Sequence, residues 1–172
     1  MREPADPERI RLLAAELGRA APVGTRLYLV GGATAVFEGW RQSANDVDLL
    51  IEPETDQIMR AIARLENEPK LNIETASPLD FLPPLPGWRE RSRSRFRAGN
   101  IEVFDLDLYS QVLVKLERGF ALDLEDIRSM LGAGLVARSR LLELLVQIEP
   151  VLFRFPAVDP AGFRRRVGHM VG

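Results

Sequence analysis

Asp46 and Asp48 stand one residue apart at the head of the apolar run Val47-Asp48-Leu49-Leu50-Ile51, and thirteen residues separate them from Leu29-Val30-Gly31-Gly32. Alternate residues of a strand point to the same face. The spacing therefore predicts two carboxylates converging on one side of a sheet, close enough to share a divalent cation. The glycine pair ends one apolar strand and opens a helix, and without Cβ atoms it leaves room for a phosphate to approach the backbone. Magnesium prefers hard oxygen ligands and keeps several waters. Two carboxylates from one strand hold one ion, or two ions when a third carboxylate joins from a neighbouring strand. Such a site orients a triphosphate and offsets charge as an oxygen attacks the α-phosphorus. It also resolves the repulsion of two close carboxylates.

Composition narrows the chemistry. The chain of 172 residues contains no cysteine, which excludes disulfides, thiolate zinc sites and a cysteine nucleophile. The single histidine, His169, lies near the C-terminus and reads as a surface residue, so a histidine-rich metal site is excluded. The formal net charge of -2 gives no global attraction to nucleic acid, so any such contact needs a local patch. No apolar run is long enough to span a bilayer. The expectation is a soluble, cytoplasmic protein.

The elements that must position these residues follow from periodicity. Pro7 to Ala20 reads as an amphipathic helix started by Asp6-Pro7. Arg26 to Val30 is a short strand, Ala33 to Glu38 a helix broken at Gly39, and Val47 to Ile51 a strand whose apolar run suggests burial on both faces. Glu54 to Glu66 has helical spacing. Leu71 to Thr75 and Asp80 to Leu82 read as extended, and the prolines of residues 83–88 demand irregular chain. Arg89 to Phe104 suggests a hairpin turning at Ala98-Gly99-Asn100. Helices are expected over Asp107 to Arg118, Asp123 to Leu131, Arg138 to Gln147 and, weakly, Pro160 to Met170. Strands and helices mix early and helices dominate late, so the fold class is α/β or α+β. A core over residues 1–108 is followed by a helical part over 109–172 that packs on it as one compact domain.

The combination Leu29-Val30-Gly31-Gly32 with Asp46-Val47-Asp48 resembles the nucleotidyltransferase superfamily, whose signature is an apolar residue, Gly-Gly or Gly-Ser, a short helix, then Asp-x-Asp. Downstream, Lys115-Leu116-Glu117-Arg118 and Asp123-Leu124-Glu125-Asp126 look like the pattern of AbiEii-like and MenT-like nucleotidyltransferase toxins. The resemblance covers roughly residues 26 to 131. It implies a mixed sheet flanked by helices, with those from Tyr109 onward closing a nucleotide cleft. It makes Asp46 and Asp48 ligands of Mg2+ or Mn2+, and puts Gly31 and Gly32 beside the phosphates. Lys115 would meet the triphosphate, and Asp123 would be a further active-site acid or would hold Lys115. Asp80 is the first choice for the third carboxylate and for the base, with Asp105 and Asp107 as alternatives. Arg41 and Ser43 match loosely the Arg and Ser or Thr that toxin-like members carry before Asp-x-Asp, which makes Ser43 a nucleotide-binding candidate. The implied reaction moves an NMP from an NTP to a hydroxyl of RNA, such as a tRNA end, or of protein, with an antitoxin as possible partner.

Bland readings compete. Lys115 could simply pair with a nearby acid, Asp123 could cap a helix, and Asp126 belongs on an exposed first turn. Arg89, Arg91, Arg93, Arg95 and Arg97 recur at every second position. On a strand all five would point one way, toward phosphates of RNA with Trp88 stacking on a base, or would guard a sheet edge. Arg164, Arg165 and Arg166 read as a solvated basic end. The alternative function is a non-catalytic nucleotide-binding module, or an antitoxin-like interaction protein, that keeps the fold.

Overall fold

The computed structural model describes residues 4–67 and 71–172. Its strands, β1 (Thr25–Val30), β2 (Val47–Glu52), β3 (Ile73–Glu74), β4 (Arg93–Ala98) and β5 (Ile101–Asp105), form one sheet in the order β3-β2-β1-β5-β4. β1 runs antiparallel to β2 and parallel to β5; β2 and β3 are parallel, and β4 and β5 form an antiparallel hairpin. The helices are α1 (Pro7–Ala20), α2 (Gly32–Glu38), α3 (Asp56–Asn67), α4 (Trp88–Arg91), α5 (Leu108–Arg118), α6 (Ala121–Gly132), α7 (Arg138–Ile148) and α8 (Pro160–Val171). The expected mixed sheet, flanking helices and helical C-terminal half are all present. Two compact units divide the chain: Met1–Ser77 with Ser92–Asp105, and Pro78–Arg91 with Leu106–Gly172.

The first unit contains the whole sheet. Residues paired across strands share a face, so the register puts Leu27, Leu29, Val47, Leu49, Ile51, Ile73, Ile101 and Val103 on one side. All are buried in a single apolar cluster with Ile10, Leu13 and Leu17 of α1 and Ile58, Ile62 and Leu65 of α3. The opposite face carries Arg26, Tyr28, Val30, Asp48, Leu50, Glu52, Glu74, Glu102 and Phe104. β2 is therefore not buried on both faces as its composition suggested. Its burial alternates, because even a run rich in leucine is sorted by the pleat.

Capping chemistry sets the helix ends. The Asp6 side chain accepts from Arg9 N at 2.9 Å and starts α1, with Pro7 in the first turn. α1 ends against the β4–β5 turn, where Asn100 N donates to Gly18 O at 3.2 Å and Asn100 Nδ2 to Ala21 O at 2.9 Å. Gly18 is required there, since a Cβ would lie 2.0 Å from Ala98 O. Gly39, at φ 89°, closes α2 in the left-handed conformation.

The second unit is helical, with α5 touching α6, α7 and α8. Pro78–Asp80 forms a 3-10 turn rather than an extended piece, and Asp80 is exposed on it. Proline at the head of such a turn loses no hydrogen bond, which a pattern-based strand reading overlooked. Arg89 and Arg91 lie in α4, not in the hairpin. Arg166 of α8 donates to the carbonyls of Leu116 at 2.7 Å and Glu117 at 2.8 Å, and Arg164 pairs with Glu149. Two of the three C-terminal arginines are thus structural, Arg166 serving the orphan carbonyls at the end of α5.

Gly18→Ala is expected to destabilise the protein by about 1–3 kcal/mol or more, because the clash is with backbone. Gly132→Ala, where an added methyl meets nothing within 4 Å, should be neutral or slightly stabilising. Thermal unfolding of the two variants checks both.

Candidate active site

The antiparallel register sets Val30 opposite Asp48, so the chain leaving β1 turns beside the carboxylate of Asp48. Gly31 makes that turn with φ 57° and ψ -118°, a conformation that L side chains rarely adopt. A Cβ on Gly31 would lie 3.3 Å from Asp48 Oδ2. Gly32 is needed for a different reason: its Cβ would meet Ala44 Cβ at 2.9 Å, with Arg41 Nη1 3.9 Å away. Ala44 is itself held by a two-hydrogen-bond bridge to Ala5, at 2.7 and 2.9 Å. The N-terminal segment thus pins the loop that brings Arg41 to the glycine turn.

Asp46 is half-buried in a bend just before β2. Strand alternation therefore fixes the direction of Asp48 alone. Ser43 is exposed on the preceding loop. Parallel pairing puts Glu74 of β3 beside Asp48 on the same face, exposed, with Asn72 Nδ2 3.3 Å from its Oε1. Sequence reasoning missed Glu74. The one signal for it was a carboxylate in the short apolar segment after α3, and only sheet pairing links that segment to β2.

The alternative third carboxylates have other partners. Asp105 is the register partner of Leu29 and so lies on the opposite face of the sheet from Asp48. It is fully buried, and its Oδ2 accepts from Arg93 at 3.2 Å and Arg95 at 2.5 Å, while both arginines also pair with Glu38. Asp107 caps α5, accepting from Tyr109 N at 3.3 Å and Ser110 Oγ at 2.8 Å, and takes both arms of the Arg91 fork at 3.0 and 2.8 Å. Asp80 belongs to the second unit. Among the described residues, no three Asp, Glu or His side chains are grouped as a metal site.

Arg89 to Arg97 do not form a common row. A bulge between Ser94 and Phe96 breaks the β4 register, so Arg93 pairs beside Asp105 and Arg97 beside Glu102, on opposite faces. β4 is an edge strand of the sheet. Trp88 is buried, with the Arg89 guanidinium 4.4 Å from its ring centre, so it offers no surface to a nucleobase.

In the second unit Lys115 is buried, its ammonium donating to Asp123 Oδ1 at 3.0 Å and Asp126 Oδ2 at 2.8 Å. Arg118 adds 3.2 and 3.0 Å contacts to Asp123. Asp123 lies inside α6 and is not its cap, and Asp126 is buried rather than on an exposed turn. The lysine buried between them explains both departures, since its charge compensates their desolvation.

Two predictions follow from these ion clusters. Lys115→Met removes the ammonium shared by two buried carboxylates, leaving Asp123 its contacts with Arg118, and should cost about 3–5 kcal/mol in urea unfolding. Burial raises Asp105 above the ordinary carboxylate value, Glu38 adding to the rise, while Arg95 and Arg93 oppose it. The folded state then holds this proton more tightly than the unfolded chain. The contribution of Asp105 is full below the ordinary carboxylate value and declines as pH rises toward its native one. Wild type should lose stability relative to Asp105→Asn as pH rises above the ordinary carboxylate value of about 4, read by urea unfolding in a pH series.

Residues 9–151 match the model of the family described as "Nucleotidyltransferase of unknown function (DUF6036)". No curated protein and no solved structure matches the chain. The family match spans most of the chain, including the glycine turn, Asp46, Asp48 and Glu74. The match covers more than half of the chain, and the chain belongs to this family of nucleotidyltransferases.

Proposed function

We propose that the protein is a metal-dependent nucleotidyltransferase that moves an NMP from an NTP to a hydroxyl acceptor. The observation that carries this is the contact of Asp48 Oδ2 with the place a Gly31 side chain would fill. Hard carboxylate oxygens from Asp48 and Asp46, with Glu74 adjacent in register, suit Mg2+ or Mn2+. Such an ion is commonly held by one or two carboxylates together with substrate phosphates. When bound, it would supply positive charge to the triphosphate and to the attacking oxygen.

The chain's own residues do the rest. Gly31, lacking a Cβ, would let phosphates approach the turn closely, and the Arg41 guanidinium at the turn would offset their charge. Glu74, beside Asp48 in register, would take the proton of the acceptor hydroxyl. The new bond joins that oxygen to the α-phosphorus, and pyrophosphate leaves. Lys115 and Asp123, suggested by the resemblance for phosphate and acid roles, brace α5 against α6, because releasing Lys115 would strip two buried carboxylates of the ammonium they share. The acceptor is a hydroxyl of RNA, such as a tRNA 3′ end, or of protein. The AbiEii-like and MenT-like resemblance supports a toxin with an antitoxin partner.

A second reading, a module that binds nucleotide without turnover, is favoured by one observation: no three acids are grouped among the described residues. The two readings part on one experiment. Each labelled NTP is incubated with the protein, magnesium, and total RNA or cell protein. Transfer from at least one NTP is expected, with Asp48→Asn lowering it about 100-fold or more. No transfer, with metal-dependent NTP binding seen by calorimetry, would instead establish the binding module.

A further inference from the structure

α2 carries the glycine turn at one end and Glu38 at the other. Glu38 is ion-paired with both Arg93 and Arg95, and the same two guanidiniums hold Asp105. Asp105 sits beside Leu29, two residues before Gly31, and Thr34 Oγ1 of α2 donates to Leu29 O at 3.4 Å. The circuit closes: β1 to Asp105, Asp105 to the arginines of β4, the arginines to Glu38, and α2 back to Gly31. Asp48, opposite Val30 on the neighbouring strand, lies beside the turn.

Stability alone is a poor reason for this cluster. Asp105 is fully buried, and the Glu38 side chain is 16% exposed. Packed apolar residues usually stabilise such a site as well as ions do. α2 already has an apolar anchor in Ala33 and Val36, and Phe37 packs on Phe96 with ring centres 5.7 Å apart. What the guanidinium forks add is direction, since their planar donors fix a carboxylate in orientation as well as distance. The cluster also tolerates a cost: Asp105 Oδ1 and Arg93 Nε are buried with no hydrogen-bond partner. Orphaned buried groups are rare and mark places where geometry outweighs stability.

We propose that Glu38, Arg93 and Arg95 are positioning residues that set the glycine turn against Asp48 through α2, an inference that rests on the reading of that turn as the nucleotide and metal site. They touch no substrate. Loosening Glu38 frees the far end of a seven-residue helix, and so displaces the backbone at its start.

The test uses full-length 15N-labelled protein and Mn2+ as a paramagnetic probe. In wild type, Mn2+ should broaden the Gly31 and Gly32 amide signals before that of Gly24 at the other end of β1. Glu38→Gln should shift the metal-free Gly31 and Gly32 signals and leave Gly24 in place. It should also raise the Mn2+ concentration that half-broadens Gly31 by about 2- to 10-fold. A folded Glu38→Gln protein with unmoved Gly31 and Gly32 signals overturns the positioning role. If that variant does not fold, Arg95→Lys, which keeps the charge and loses the fork, decides by the same signals. Wild type that shows no selective broadening removes the metal reading, while the metal-free shifts still decide whether Glu38 governs the turn.

Discussion

The antiparallel pairing of β1 with β2, in a register that sets Val30 opposite Asp48, is the constraint on which the rest of this structure turns. A shift of one residue would send Asp48 into the apolar face and Leu49 out of it. The register is held by Leu27, Leu29, Leu49 and Ile51, all buried beneath α1 and α3. The apolar core thus specifies where a carboxylate is presented. Given that placement, the residue after Val30 has little room for a side chain beside Asp48 Oδ2, and its backbone turns with positive φ. Glycine satisfies both demands.

Among the described residues, buried charge is handled in three clusters. In the first unit Glu38 and Asp105 meet Arg93 and Arg95 at the edge of the sheet. In the second, Lys115 lies between Asp123 and Asp126, and Arg91 forks onto Asp107. Most of these acids are almost fully desolvated, so each requires its base. Many of the acids and arginines that might have met a ligand are thereby used inside the protein. Asp46, Asp48, Glu74 and Arg41 belong to none of these three clusters and retain some exposure.

The arginine sequence over residues 89–97 shows how a periodic signal can mislead. Its period of two predicts one continuous strand, yet α4 takes the first two arginines and a bulge splits the remainder. Local pattern carries no information about the extra residue that a bulge absorbs. The partners matter more than the period: Asp107 draws Arg91, and Glu38 with Asp105 draws Arg93 and Arg95.

Much of the architecture was legible in the chain itself. The Asp6-Pro7 start of α1, Gly39 closing α2, the hairpin turn at Gly99-Asn100 and the glycine turn beside Asp-x-Asp all rest on backbone chemistry local to a few residues. The helical C-terminal half was legible too, because periodicity distinguishes strands from helices, whereas the mixed sheet was an implication of the family resemblance. Only tertiary structure decided that Glu74 neighbours Asp48, that Asp105 faces away from it, and that Asp126 is buried. Those outcomes depend on strand order, register and the solvent access of one element against another. These are set by contacts between residues distant in sequence, which local spacing does not record.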